Sequence, residues 1–261
     1  MNLLIVAGAS VAAIIVVHGV TFLIGRRIGR YNIVDITWGL GFVAIAAVAA
    51  AVGNGDLFRR LLLLALTSVW GLRLAWHMYV KTRGHGEDPR YRDLLKGNFS
   101  AGNVIRRIFG TQAVATLLIA APLQLSATQG PTPTGLLWVT GAGVAVWLAG
   151  LIFEALGDHQ LRTFKGDPAN KGTIMDRGLW SWTRHPNYFG DAAVWWGLWL
   201  ASIAGWISLV TVVSPVVMTY FLVHVTGARL TERYMKDRPC FREYCSRTSY
   251  FVPLPPKSRT R

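Results

Sequence analysis

Long apolar runs separated by short basic segments set the pattern of this chain. Asn2 to Gly25 carries no charged side chain, and Arg26, Arg27 and Arg30 follow directly. Ile36 to Gly55 is a second run, entered through Asn32-Ile-Val-Asp35. Leu61 to Val80 is a third, with Arg73 and His77 inside it. Ile108 to Phe153 is uncharged throughout, and Pro122, Gln124 and Gly130-Pro-Thr-Pro133 divide it into a fourth and a fifth span. Ala192 to Ala228 is again uncharged. That last run accommodates two short spans turning near Gly205, or one tilted span and a re-entrant piece. A helix needs about 20 apolar residues to cross the hydrocarbon core. The pattern predicts an all-α polytopic integral membrane bundle of about seven transmembrane helices. No basic segment precedes the first run, which argues against a cleaved signal peptide. No soluble domain, low-complexity tract or repeat interrupts the pattern, so residues 1–261 read as a single membrane domain.

Composition agrees with the pattern. The chain is 52% hydrophobic and 15% charged, against about 25% charged in soluble domains. Its net charge of +14 raises the question of nucleic acid, but the charges lie in loops between apolar spans rather than on one soluble face. Their distribution orients the bundle instead. With seven spans, 24 of the 27 Lys and Arg fall on one side, only Arg59 and Arg60 fall on the other, and Arg73 lies within a span. Cytoplasmic loops collect positive residues, so the N-terminus is expected outside and the C-terminus in the cytoplasm. Cys240 and Cys245 match no metal-ligand pattern and read as free thiols. No His/Cys/Asp cluster reads as a metal site, and His18 and His224 stand alone on apolar spans, as packed residues do.

The densest chemistry lies in Gly178-Leu-Trp-Ser-Trp-Thr-Arg-His-Pro-Asn-Tyr-Phe-Gly-Asp191, just before an uncharged run. Pro186 suits the first turn of a helix, whose free N–H groups favour an anion. Arg184 and His185 lie on that side. Asn187 and Asp191 are four apart and share a helix face, with Tyr188 beside them. A juxtamembrane cap of Arg, His, Trp and Tyr at the headgroups is the simpler reading. A second polar stretch, Glu154 to Lys165, places Glu154, Asp158 and Arg162 at four-residue intervals on the helix that continues the fifth span. It reads either as ion pairs on a solvated helix end or as a ribose and phosphate site, with carboxylates for hydroxyls and Arg162 and Lys165 for phosphates.

Three further features stand apart. Arg73, flanked by Trp70 and Trp76, faces a polar cavity or a partner if it stays at membrane depth. Asp35 opens the second span and is either an N-cap or the acid of a proton relay able to polarise a carbonyl. The run Arg83-Gly-His-Gly-Glu87-Asp88-Pro-Arg90-Tyr91 is a loop by its Gly and Pro; it either solvates a turn or brings Arg90 and Tyr91 over a ligand. In the basic tail, Arg229, Glu232, Arg233 and Tyr234 follow the last span and suit an amphipathic helix on anionic lipid.

The stretch Thr183-Arg-His-Pro-Asn-Tyr-Phe-Gly-Asp191 resembles the NADPH-site motif of the steroid 5α-reductase superfamily and of the related sterol reductases. The Glu87-Asp-Pro-Arg-Tyr91 run is similar to those of an uncharacterised bacterial branch of that superfamily. The resemblance implies an oxidoreductase acting on CH–CH groups in a bacterial inner membrane, with NADP(H) bound at the cytoplasmic ends of the helices. A lipid-soluble substrate, steroid or enone-like, would enter from the bilayer, and Asp35 would be the acid. Arg184, Arg162 and Lys165 would hold phosphates, Asn187 and Asp191 the nicotinamide or ribose, and Tyr188 and Tyr234 would pack and hydrogen-bond. His185, Asp158, Arg73 and Glu232 complete the implied cofactor set. Residues 1–107 would then carry the substrate-side elements and 108–261 the cofactor-binding region. Trp70 stands where the steroid enzymes have a tyrosine, and an indole cannot donate a proton as a phenol does. The Arg-His-Pro-x-Tyr element is also similar to isoprenylcysteine and phospholipid methyltransferases, which bind S-adenosylmethionine. A non-enzymatic lipid-binding or transport protein is the third reading.

Overall fold

The computed structural model describes residues 2–257 and is helical throughout, with no strand among them. A single bridge, Thr183 to Ser249, is the only extended pairing among the described residues. Among the described residues, five helical runs are long and apolar enough to cross a membrane: Asn2–Ile28, Val34–Val52, Leu57–Thr82, Thr134–Gly166 and Trp206–Met235. Two further apolar stretches fall short of that measure. One starts as a π-helical turn, Ile105–Gly110, and breaks at Ala120 before Pro122. The other, Pro186–Ala201, has only 16 residues, against the 17 or more that a span typically needs. The chain divides into two compact units, residues 1–140 with 201–214, and residues 141–200 with 215–261.

In the first unit α1 (Asn2–Ile28), α2 (Val34–Val52) and α3 (Leu57–Thr82) form a helical hairpin series. Helices α2 and α3 meet at Gly39 and Gly71, where a Cβ on Gly39 would lie 2.3 Å from the Gly71 carbonyl oxygen. Small residues permit this approach, and dispersion between backbones replaces the hydrophobic drive that lipid does not supply. Side chains such as Leu4 (77% exposed) and Ile15 (66%) face outward from α1, as lipid-facing residues do. Short helices α4 (Pro89–Leu95) and α5 (Ala101–Val104) lead through the π-helical turn to α6 (Thr111–Ile119) and α7 (Ala121–Ser126). Val34, Tyr91, Leu95, Val104, Ile108 and Phe109 form the core at this end. His18 packs edge-on against Phe109 at 6.1 Å, as a lone core histidine should.

Arg59, one of the two cations assigned to the sparse side, is fully buried rather than solvated. Its guanidinium donates to Ser126 Oγ (2.9 Å), Thr132 Oγ1 (2.8 Å) and the carbonyls of Ser126, Gln129 and Gly130. Arg60 donates to the carbonyls of Ala50 (2.7 Å) and Gly53 (2.6 Å). Both arginines satisfy orphan carbonyls where helices end.

The second unit contains α8 (Leu137–Gly166, from residue 141 onward), α9 (Pro186–Ala201), α10 (Val213–Tyr220, from residue 215 onward), α11 (Ala228–Met235) and α12 (Phe241–Arg247). The apolar run after Asp191 breaks at Ser202–Gly205, where α9 ends and the next helical turn begins at Trp206. A π-helical turn, Phe221–Val225, separates α10 from α11. His224 is exposed beside Tyr220, with ring centroids 5.2 Å apart, so it is not the packed histidine that an apolar span predicts.

Candidate functional site

Two polar clusters form, one in each unit. The first joins two short runs that lie far apart in sequence. Glu87 accepts the backbone N–H groups of Tyr31 and Asn32 (2.9 Å), so its carboxylate caps the entry to α2. Asn32 Nδ2 donates to the Gly86 carbonyl at 3.0 Å, and Arg30 donates to the Thr82 carbonyl at 2.9 Å. Asp88 caps α4, accepting from the Arg90 N–H at 2.9 Å. Arg90 grips Asp88 through Nε and Nη2, the shortest contact 2.8 Å, and reaches Asp35 at 3.4 Å. The Tyr91 hydroxyl donates to Asp35 Oδ1 in a short hydrogen bond, and Gln112 Nε2 lies 3.5 Å from the same hydroxyl. Burial, reinforced by the Asp35 carboxylate, pushes the Tyr91 phenol well above its ordinary pKa. Burial alone would raise Asp88, but the hydrogen bonds and charge of Arg90 outweigh it and hold that carboxyl below the usual range. Arg90 and Tyr91 therefore serve Asp35, a partnership the loop composition alone does not reveal. Arg73 is half-buried on α3 in the same unit.

The second cluster depends on the close contact of α8 and α9. A Cβ on Gly190 would lie 2.4 Å from the Glu154 backbone nitrogen and 2.6 Å from the Gly150 carbonyl oxygen. Seven residues on, a Cβ on Gly197 would lie 2.4 Å from the Trp147 nitrogen. This glycine seam brings the acidic face of α8 against the polar face of α9. Glu154, Asp158 and Asp191 are all buried there. Asn187 Nδ2 donates to Asp158 Oδ1 at 3.1 Å, while Asn187 Oδ1 is buried without a hydrogen-bond partner. A buried polar atom left unpaired is costly and calls for an explanation.

Beside the seam, Arg184 and His185 meet Glu232 of α11. Arg184 Nε lies 2.7 Å and His185 Nε2 3.2 Å from Glu232 Oε1. Arg184 also donates to the Cys245 carbonyl at 3.1 Å and sits 5.1 Å from the Tyr250 ring centroid, a cation–π contact. Tyr188 stacks on His185 at 5.7 Å. Burial holds the His185 imidazolium below its usual pKa; Glu232 opposes that shift and the Arg184 charge adds to it. Burial likewise pushes the Tyr250 phenol up.

The tail builds this place. Arg184 N–H donates to the Ser249 carbonyl (2.9 Å), Thr183 Oγ1 to the Phe251 carbonyl (2.8 Å), and the Tyr244 hydroxyl to the Trp180 carbonyl (2.6 Å). Trp180 Nε1 in turn donates to the Gly157 carbonyl at 3.0 Å. Tyr250 is not indicated by the sequence pattern, although the aromatic pair Tyr250–Phe251 was the available signal. Arg162 and Lys165 are exposed on the end of α8, with Arg162 Nη2 3.4 Å from His159 Nδ1. Tyr234 is 56% exposed, with its ring turned out of the cluster that Glu232 enters. Glu232, the Cys245 carbonyl and the Tyr250 ring engage Arg184, the residue cast as a phosphate ligand.

The residues present fit a nucleotide: buried carboxylates suit hydroxyl donors, the unpaired Asn187 carbonyl suits an amide or hydroxyl donor, and cations stand nearby. Among the described residues no group of three His, Cys, Asp or Glu is placed to hold a metal ion.

The chain matches, over residues 21–248, the family model described as a protein of unknown function, DUF1295. It belongs to that family. The matched DUF1295 region contains Asp35, Tyr91, Asp158, Asn187 and Glu232. The chain is also similar to curated proteins named 3-oxo-5-alpha-steroid 4-dehydrogenase 1. The rat protein is 28% identical over 122 residues, 45% of this chain and 44% of the relative. The mouse protein is 37% identical over 70 residues, 25% of this chain and 27% of the relative. The bovine protein is 39% identical over 67 residues, 24% and 26% respectively. These matches support membership of the steroid 5α-reductase superfamily at low identity. Each aligned segment spans less than half of the relative's length. No solved structure matches the chain.

Proposed function

We propose that this DUF1295 protein is a membrane-embedded, NADPH-dependent reductase acting on an activated C=C bond of a lipid-soluble, enone-like substrate. The observation that carries this reading is the Asp158–Asn187 pair, seated on the α8–α9 glycine seam with an unused buried carbonyl. The similarity to enzymes named as steroid dehydrogenases supports it. In this reading Asp158, Asn187 and Asp191 take the sugar hydroxyls and the carboxamide, and Arg162 and Lys165 take phosphate charge. Tyr188 and His185 pack beside them. When bound, NADPH supplies a hydride for the β-carbon of the enone. The chain's own task is the charge pushed onto the substrate oxygen. Asp35 is the proposed acid for that oxygen, and the Tyr91 hydroxyl is bonded to its carboxyl. Arg90, held chiefly by Asp88, fixes the pair's position.

The interrupted run Ile105–Ser126 and the short α9 complete seven spans in this reading. The N-terminus lies outside and the C-terminus and cofactor site lie on the cytoplasmic face of a bacterial inner membrane, with 24 of the 27 Lys and Arg on that face. The experiment is NADPH consumption by the detergent-purified protein across a panel of enone lipids, starting with a 3-oxo-4-ene steroid. The expected result is substrate-dependent NADPH loss with a product two hydrogens richer, reduced at least 100-fold in Asp35→Asn. A protein that binds NADPH yet consumes none with any enone overturns the substrate class.

A further inference from the structure

Arg184 and His185 aim two donors at one place, and a carboxylate of the chain itself fills it. Arg184, His185 and Glu232 are only 12%, 3% and 20% exposed, so an external anion reaches the two donors only where Glu232 gives way. Glu232 rides on α11, a helix of eight residues. The entry to that helix is built to bend. It follows the π-helical turn Phe221–Val225, a form frequent at functional sites. It then passes through Gly227, where a Cβ would lie 2.0 Å from the Leu222 carbonyl oxygen. Only glycine lets the chain double back so tightly. The neighbouring tie between α11 and α9 is loose, with Thr231 Oγ1 and Tyr188 Oη 3.4 Å apart, at the long limit of a hydrogen bond.

We infer that Arg184 and His185 form an anion site that Glu232 keeps closed, and that α11 swings aside at Gly227 when a phosphate group takes the carboxylate's place. This inference rests on the reductase reading for the identity of the ligand, and it makes the C-terminal segment the gate of that site. The exchange replaces one anion by another on the same donors, so the Arg184 charge is never left buried and unpaired. The gate lowers apparent affinity by the fraction of molecules that are open. Glu232 as a direct nucleotide ligand makes the opposite prediction, because its loss would then weaken binding.

The test titrates inorganic pyrophosphate and NADPH into the full-length detergent-purified protein, wild type, Glu232→Gln and Thr231→Val, by calorimetry. Glu232→Gln preserves shape and is expected to bind both ligands about tenfold tighter, as for a gate open one-tenth of the time. Thr231→Val, which only loosens α11, is expected to shift affinity in the same direction by a smaller factor. Arg184→Met in the Glu232→Gln background should abolish the pyrophosphate gain. Equal or weaker binding by Glu232→Gln overturns the gate, and if NADPH still binds, the reductase reading stands without it. Tighter pyrophosphate binding with no response to NADPH keeps the gate and removes the nucleotide. No binding of either ligand by any variant overturns both.

Discussion

The two clusters are built by opposite means. In the first unit, two runs of six and five residues, Arg30–Asp35 and Glu87–Tyr91, are joined through Tyr31, Asn32 and Asp35. Hydrogen bonding and core packing there share the same few residues, and the Asn32 and Gln112 amide oxygens are buried without a partner. In the second unit, donors arrive from α8, the start of α9, α11 and the strand-like tail, and the seam between α8 and α9 sets their spacing. There the Asn187 carbonyl remains unpaired. The difference separates a cluster closed between two short runs from one assembled across a helix seam.

The strongest way to break this comparison is to remove each cluster's central pair. Asn187→Ala or Asp158→Ala should abolish the NADPH-dependent rise in thermal stability while leaving the unliganded protein folded. Tyr91→Phe or Asp35→Asn should do the reverse, keeping the NADPH response and lowering turnover by 100-fold or more, within the range that general acid catalysis supplies (about 10²–10⁴). If both pairs of substitutions cost binding equally, the division of labour is wrong.

A smaller effect tests the latch. Glu87→Ala leaves two backbone N–H groups at the α2 entry without their acceptor. The loss should be about 0.5–2 kcal/mol, as for other helix caps, read as a lower denaturation midpoint with the NADPH response intact.

The smallest effect is a pH slope. Burial lowers the His185 pKa in the native state, so folding favours the neutral ring. That contribution is complete above the unfolded value of about 6.5 and is lost as pH falls through the lower native value. His185→Gln should flatten stability against pH on the acid side of about 6.5 and leave it unchanged at pH 8. An unaltered acid slope would place the titrating group elsewhere.

Much of the fold was legible in the sequence, because lipid selects apolar runs and loops collect charge. The break at Pro122 was equally plain, while the run around Gly205 left a turn and a re-entrant piece as alternatives. Partners were not legible. Periodicity told that Asn187 and Asp191 share a face, and that Glu154 and Asp158 share another. That the two faces meet depends on Gly150, Gly157 and Gly190, whose role is the contact they permit. Arg184 was placed on an anion-facing helix start, but its partner Glu232 lies 48 residues on, and no local pattern joins the two. Asp35 and Tyr91 lie 56 residues apart, and no spacing rule joins them. Arg59, counted as a loop charge, is consumed by carbonyls that only the folded loop presents.

The central claim is that the second cluster holds NADP(H). The most direct measurement is the thermal stability of the purified protein in lipid nanodiscs, titrated separately with NADPH, NADH and S-adenosylmethionine. A ligand at a hundred times its dissociation constant adds about 2.7 kcal/mol to the native state. The account predicts a saturable rise with NADPH that Asn187→Ala abolishes. A rise with S-adenosylmethionine and none with NADPH would contradict it and move the search to methyl acceptors.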